Sequence, residues 1–430
     1  AILPVVTSYG PAQYSCVLEG SDTYYYDSEE TIYKRLFQDL KEAVEWLKDF
    51  RDSSPSQDLL DDFKRADKVC DGDIDKWIKF ANTLRLRIAM QLVKVYPDSQ
   101  KEAEDAVRDG VLTNSDSDVV LKSGLMLFRI EDLWNDTRAN ANIISILQGY
   151  SDPRLERWFA TNNADIYSTD DELSPVVEKA TKYLGVRQGV PMTRTEYQGY
   201  SKTSRVGIPE QGPRPVLRVA EAYFLRAEGM LRNWNMGDGT PESLYNEGIH
   251  SAWASVLGDE SGWAGTYESY INGFINTEEG GDFDWELFEG GFGSAPYINY
   301  RNQEYNYYIE ENGKQVGINR ISVRWHDEDS PEKKLQRIIT QKWISFFPTL
   351  SSVAWTEYRR TGYPKLIPIP SDLNYSNGAI DTELQIRRLP FTQSEYRGNT
   401  EEVNKALGLL KGPDNGGTRL WWDVDKGNFE

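Results

Sequence analysis

Residues Asp75–Val95, DKWIKFANTLRLRIAMQLVKV, decide the fold class of this chain. Trp77, Phe80, Leu84, Ile88, Leu92 and Val95 recur at steps of three and four, which places them on one side of a 3.6-residue helix. Asp71, Asp73 and Asp75 lead into it. Their alternation is similar to the opening of a calcium loop, but the remainder of that motif is missing, and N-capping by Asp73 or Asp75 is the better reading. Outward from this segment, Ile32, Leu36, Leu40, Val44 and Leu47 predict a helix over 31–50, with Glu29 and Glu30 favouring its start. A polar break at 52–58 precedes the Trp77 helix, and a shorter helix is expected around 101–109. Further on, Pro215 suits a first helical position ahead of Leu217, Ala220, Phe224, Ala227 and Leu231. Pro241 opens a partner with Leu244, Ile249, Ala252 and Val256, and another pair is expected at 331–347 and 351–361.

Bulk properties exclude several function classes. The 430 residues carry 68 acidic and 48 basic side chains, a formal net charge of −20. Such a field repels phosphate backbones and anionic lipid, which argues against nucleic-acid binding and against a polybasic membrane patch. No run is apolar and long enough to cross a bilayer, and no signal peptide is visible. Two cysteines, Cys16 and Cys70, rule out a disulfide framework and a thiolate metal site, and leave open whether the two pair or stay as buried thiols. With His250 and His326 as the whole histidine complement, and without a Gly-x-Ser-x-Gly, His-Glu-x-x-His or phosphate-loop pattern, nucleophilic and zinc hydrolysis are not expected. Asp282, Asp284 and Glu286 beside Trp285 could be written as a glycosidase pair, but acidic loops are ordinary in a chain of this charge.

The wording of four segments carries more than periodicity. DGD at 71–73 followed by KWIKFAN and LRLRIAMQ, then RVAEAYFLRAEGMLRNW (Arg218–Trp234) with Tyr245, Gly248 and Ile249 downstream, resembles the signature of the SusD/RagB family. QKW at Gln341–Trp343 with WTEYRRTGYP at Trp355–Pro364, and Arg387–Pro390 with Gly412–Asn415 and TRLWWD at Thr418–Asp423, follow in the family's order. This resemblance implies a mainly α, SusD-like fold: tetratricopeptide-like helix pairs plus long irregular loop regions. Residues 1–430 are expected to form a single SusD-like domain, with 31–110, 215–258 and 331–362 as helical scaffold and 111–214, 259–330 and 363–430 as loop-rich regions. It implies a non-enzymatic, cell-surface lipoprotein of the Bacteroidetes outer membrane without cofactor or metal, partnered by a SusC-like TonB-dependent β-barrel and binding a glycan. Because the likeness picks up at a point well into a typical member, it further implies a preceding N-terminal portion that bears the lipid anchor, the sole attachment to the membrane. Arg85, Arg87, Arg359 and Arg360 are expected to pair with acids such as Glu221, Glu228 and Glu357 or to cap carbonyls.

Candidate ligand contacts come from residues 259–308, where 13 aromatics fall in 50 positions among many glycines, read as loops and not as a helix. Rings on glycine-shaped loops suit pyranose faces, whose rim hydroxyls need amide and charged partners. Trp263, Trp285, Tyr267, Tyr297, Tyr300, Asn299 and Arg301 are the candidates, with Trp263 and Trp285 expected at a wet surface. The competing reading packs these rings beneath the loops, as it does Trp77, Trp343, Trp355, Trp421 and Trp422 in the core. Two other functions stay open: an oligopeptide-binding SusD-like protein, and a structural helical-repeat adaptor with no small ligand.

Overall fold

Capping chemistry sets most helix starts in the computed structural model, which describes residues 2–122, 137–162, 183–204, 214–272, 293–297, 299, 303–311 and 313–430. After α1 (Ile2–Tyr9) and α2 (Ser15–Glu19), the Ser28 hydroxyl accepts from the Thr31 amide at 3.2 Å and opens α3 (Glu29–Asp52). Asp73 does the same for the Lys76 amide at 2.9 Å, so α5 (Ile74–Gln91) starts where the acidic lead-in predicts. Between them lies α4 (Gln57–Ala66), which the sequence reading did not identify; its Leu60 and Phe63 pack with Leu47 and Phe50 of α3 against Ile74 and Ile78. The order continues with α6 (Ser99–Arg108), β1 (Val119–Leu121), α7 (Ala141–Gly149), α8 (Arg154–Trp158), α9 (Arg194–Gln198), β2 (Arg214–Leu217), α10 (Val219–Leu231) and α11 (Pro241–Leu257). Then come α12 (Ala264–Asn272), β3 (Ile309–Glu311), β4 (Lys314–Val316), α13 (Pro331–Ser345), α14 (Ser351–Thr361), α15 (Gln393–Gly398) and α16 (Thr400–Leu407).

The scaffold consists of helix pairs, α5 with α6, α10 with α11 and α13 with α14, with α3 laid on α5 and α10 bridging to α13. Close approach within a pair has a residue-level cause: a Cβ on Gly248 of α11 would sit 2.7 Å from Cε1 of Phe224 on α10, so only glycine lets the two axes come this near. β1 and β2 form a two-stranded antiparallel ladder with Leu121 opposite Arg214, and β3 pairs with β4. Among the described residues no helix is long and apolar enough to cross a membrane.

Two expectations are corrected. Pro215 lies in β2, opposite Val120, and its helix starts four residues later at Val219; a proline is tolerated in such an edge ladder, and it biases the residue before it to extended backbone. Residues 264–272 are helix, not loop, because Trp263, Tyr267 and Tyr270 repeat at helical spacing and bury one face despite the flanking glycines. Earlier in the chain, Ala141–Gly149 is a helix buried on nearly every side. Cys16 and Cys70 are both buried and free.

The main apolar cluster draws residues from Val6 to Trp422, and a buried ionic network runs beside it. Arg360 places Nη1 and Nη2 at 2.6 and 2.7 Å from the two carboxylate oxygens of Glu228 and a further 2.6 Å bond on Glu357. Arg232 and Lys342 join at 2.8 and 3.3 Å. Burial alone would push the Glu228 carboxyl up, but Arg360 and Arg232 outweigh it and hold it down to about 2. Arg87 takes Glu221 in a fork, Arg85 takes Glu102 at 2.7 Å, and Arg359 caps the carbonyls of Arg387 and Thr7 at 2.7 and 2.6 Å. The signature arginines therefore tie helices and loops together, and removing one partner of such a buried pair would strand the other charge.

Candidate functional site

Burying Glu357, Arg359 and Arg360 in this network fixes the rotation of α14, and with it the direction of its aromatic side. Ser351, Ala354, Trp355 and Tyr358 then form a stripe at i, i+3, i+4 and i+7. Trp343, Phe346 and Phe347 at the end of α13 form a matching stripe, and the bend through Pro348 sets the two against each other. Asn140 and Asn142 at the start of α7, with Gln188 and Gln385 from neighbouring loops, complete a cleft of about 310 Å³. That volume lies at the small end of the range for ligand pockets.

Its lining has a distinct chemistry. None of the lining residues is charged, in a chain of which 27% is Asp, Glu, Lys or Arg. Trp355 is half-buried and rigid: its indole N–H donates to the Ile386 carbonyl at 3.0 Å, and the Arg359 guanidinium sits 3.6 Å from the ring centroid. One ring face is thus taken and the indole held in place. Tyr358 donates to the Glu383 carbonyl at 2.9 Å. Polar donors remain. The Asn140 side-chain oxygen caps α7 by accepting from the Asn142 amide at 2.8 Å, and the Asn142 side-chain oxygen accepts from the Ile367 amide at 2.7 Å, which directs both Nδ2 groups elsewhere. Neither Nδ2 group, nor the Trp343 indole N–H, has a partner among the described residues. Gln385 has a φ of +57°, in the left-handed region, a conformation uncommon for a side chain of this kind and often found at functional positions. A ring platform flanked by amide and indole donors can take an uncharged, hydroxyl-rich ligand; it offers no carboxylate, imidazole or thiol to act as acid, base or nucleophile.

The residues singled out by sequence lie elsewhere. Trp263 and Tyr267 are 6% and 8% exposed, inside a cluster with Trp253, His250 and Tyr270, so the expected wet surface is corrected to a core position. Their planes meet at 75°, edge to face, which is core packing geometry and not a flat platform. The Trp263 N–H and Tyr267 hydroxyl donate to the carbonyls of Gly258 and Asn246. Tyr297 is buried in a small satellite cluster with Ala141 and Ile367, and buried Asn299 donates its backbone amide to the Asn306 side chain at 2.7 Å. Trp285, Tyr300 and Arg301 lie outside the described residues, as do Asp282, Asp284 and Glu286. The structure brings Trp263 and Tyr267 together in the main cluster and places Tyr297 in a separate one. What the sequence reading missed is Trp343, Trp355 and Tyr358, assigned to the core or passed over; the available signal was that α14 carries Glu357 and Arg360 on the side away from its rings.

Comparison with known proteins bears on this arrangement. A family model for SusD-like proteins, described as SusD and RagB outer membrane lipoprotein, matches residues 1–267 and 292–423. A chitin-binding SusD homologue from Flavobacterium johnsoniae is 36% identical, with a TM-score of 0.80 over 100% of this chain and 79% of its own. A SusD homologue from Bacteroides vulgatus is 32% identical, with a TM-score of 0.81 over 100% of this chain and 78% of its own. One from Bacteroides uniformis is 30% identical, with a TM-score of 0.78 over 99% of this chain and 79% of its own. Comparison with curated proteins gives no match.

Proposed function

The chain belongs to the SusD-like family of outer-membrane lipoproteins, and from that premise we propose that it captures oligosaccharides at the outer surface of the cell and does no chemistry on them. One observation carries this reading: the uncharged cleft between α7, α13 and α14, where the fixed Trp355 ring stands among the free donors of Asn140, Asn142 and Trp343. A pyranose presents C–H groups on its face and hydroxyls on its rim, and needs these two kinds of wall together. The chitin-binding relative supports N-acetylated, uncharged chains as the first ligands to try, since their acetamido carbonyls would accept from the side-chain amides.

A SusC-like TonB-dependent barrel is the proposed recipient, on the family relationship alone. A ligand held between two docked proteins needs only modest affinity for either, because docking raises its effective concentration. The sequence-derived contacts Trp285, Tyr300 and Arg301 stay as proposed additional contacts, whereas buried Trp263, Tyr267, Tyr297 and Asn299 would act beneath the surface as supports. The test is an affinity-gel panel of chitin, starch, xylan, pectin and mucin oligosaccharides beside an oligopeptide mixture. Retardation by at least one neutral glycan is expected; silence across the glycans with binding of peptides would overturn the reading in favour of a peptide binder.

A further inference from the structure

A second and larger cleft, of about 680 Å³, opens on the other side of Pro348, which lines both. Its chemistry is the opposite of the first. Asp116, Asp118 and Glu260 contribute carboxylates, and Arg157, Arg214 and Arg218 contribute guanidiniums. Each carboxylate is already answered. Asp116 takes Lys79 Nζ at 2.9 Å and the Thr113 amide at 2.9 Å. Asp118 takes Arg218 Nη1 at 3.1 Å and the Val219 amide at 2.8 Å. Glu260 lies 2.6 Å from His250 Nε2.

Arg157 differs. It stands on α8 between buried Leu155 and Trp158 and is itself exposed, with no hydrogen-bond or ion-pair partner among the described residues. A short helix anchored by the buried Arg154–Asp152 pair, 2.6 Å between Nη2 and Oδ2, therefore presents a guanidinium with five unused donors at the wall of a cleft. In a chain of net charge −20 an unanswered cation in a concave wall is the local exception. A guanidinium matches a carboxylate in a planar, two-pronged way that a neutral hydroxyl cannot reproduce.

We propose that this cleft is a binding subsite for the carboxylate of an acidic sugar, a uronic acid unit, with Arg157 as its specificity-determining residue. The ligand class rests on the reading of the chain as a glycan binder; the anion preference rests on the wall of the cleft. A glycan whose neutral units stack at Trp355 and whose acidic unit passes Pro348 would meet both chemistries in succession.

The experiment is calorimetric titration of the full chain at low salt with trigalacturonate, its methyl ester, chitotriose and triglycine, on the wild type, Arg157→Gln and Trp355→Ala. Trigalacturonate should bind roughly tenfold more tightly than its methyl ester, Arg157→Gln should erase that difference, and Trp355→Ala should leave it unchanged. Because Arg157 is exposed, its variant should keep the wild-type melting temperature. Equal affinities for acid and ester, an Arg157→Gln variant that binds trigalacturonate as well as wild type, or binding of triglycine with none of trigalacturonate would each overturn the proposal. Loss of chitotriose binding in the wild type with Arg157-dependent trigalacturonate binding retained would overturn the neutral-glycan reading and support this one.

Discussion

Replacing Glu228 with Gln removes the centre of the buried ionic network while keeping its shape. In the folded chain the Glu228 carboxyl is held at about 2 against an ordinary value of 4.5, with Arg360 bound at 2.6 and 2.7 Å and Arg232 at 2.8 Å. That depression is equivalent to about 3 kcal/mol of preference for the folded state, at roughly 1.4 kcal/mol per tenfold change in proton affinity. An independent gauge, the cost of breaking a buried pair and stranding its partner, gives about 3–5 kcal/mol. Because the folded value is the lower one, the contribution is fully present above pH 4.5 and is lost as the pH falls through 2. Urea unfolding followed by tryptophan fluorescence should therefore show Glu228→Gln less stable than wild type by about 3 kcal/mol at pH 7 and by only about 1 kcal/mol at pH 3. A loss below about 1 kcal/mol at pH 7, or an equal loss at both values, would refute the claim that paired charge and not packing gives Glu228 its role.

Burial pushes the Glu29 carboxyl up to about 7, only partly offset by the Trp421 amide that donates to it at 3.0 Å. A raised folded value makes this contribution complete below pH 4.5 and lost as the pH rises through about 7, so wild type should fall in melting temperature between pH 5 and 8 and Glu29→Gln should flatten that fall. Gly248→Ala drives a methyl to 2.7 Å from the Phe224 ring and should lower stability by about 1–3 kcal/mol in denaturant titration, relieved by pairing it with Phe224→Leu. Trp263→Ala should cost about 3–5 kcal/mol in the same titration while leaving glycan affinity within twofold, and a large loss of affinity with little loss of stability would return Trp263 to the ligand site.

The scaffold was legible because its signals are local. Ser28 and Asp73 cap where a short polar side chain precedes an apolar period, Pro241 and Pro331 sit at helix starts, and Gly248 marks the α10–α11 crossing. α4 escaped because its ten residues bury none fully, so its apolar face is thin and its sequence reads as polar linker. At α12 the flanking glycines argue for loop and the Trp263, Tyr267, Tyr270 spacing argues for helix, and burial of that one face decides for helix. The candidate site was far less legible, for a physical reason. Trp263 and Trp355 are both large rings with charged residues nearby, and which one meets solvent is decided by long-range packing: Trp253, His250 and Tyr267 close over Trp263, whereas the burial of Arg360 between Glu228 and Glu357 turns the Trp355 side of α14 into a cleft. No local pattern encodes a partner that lies 132 residues away, as Glu228 does from Arg360.

The most direct test is the affinity of the chain for chitotriose and chitohexaose by calorimetry, in wild type, Trp355→Ala and Trp343→Phe, with melting temperatures measured alongside. One ring face covered by a sugar contributes about 1.4 kcal/mol, so Trp355→Ala should bind about tenfold more weakly, and Trp343→Phe, which removes an indole donor and keeps a ring, should also lose affinity. Unchanged affinity in both variants, with both proteins folded, would contradict the assignment of this cleft as the glycan site.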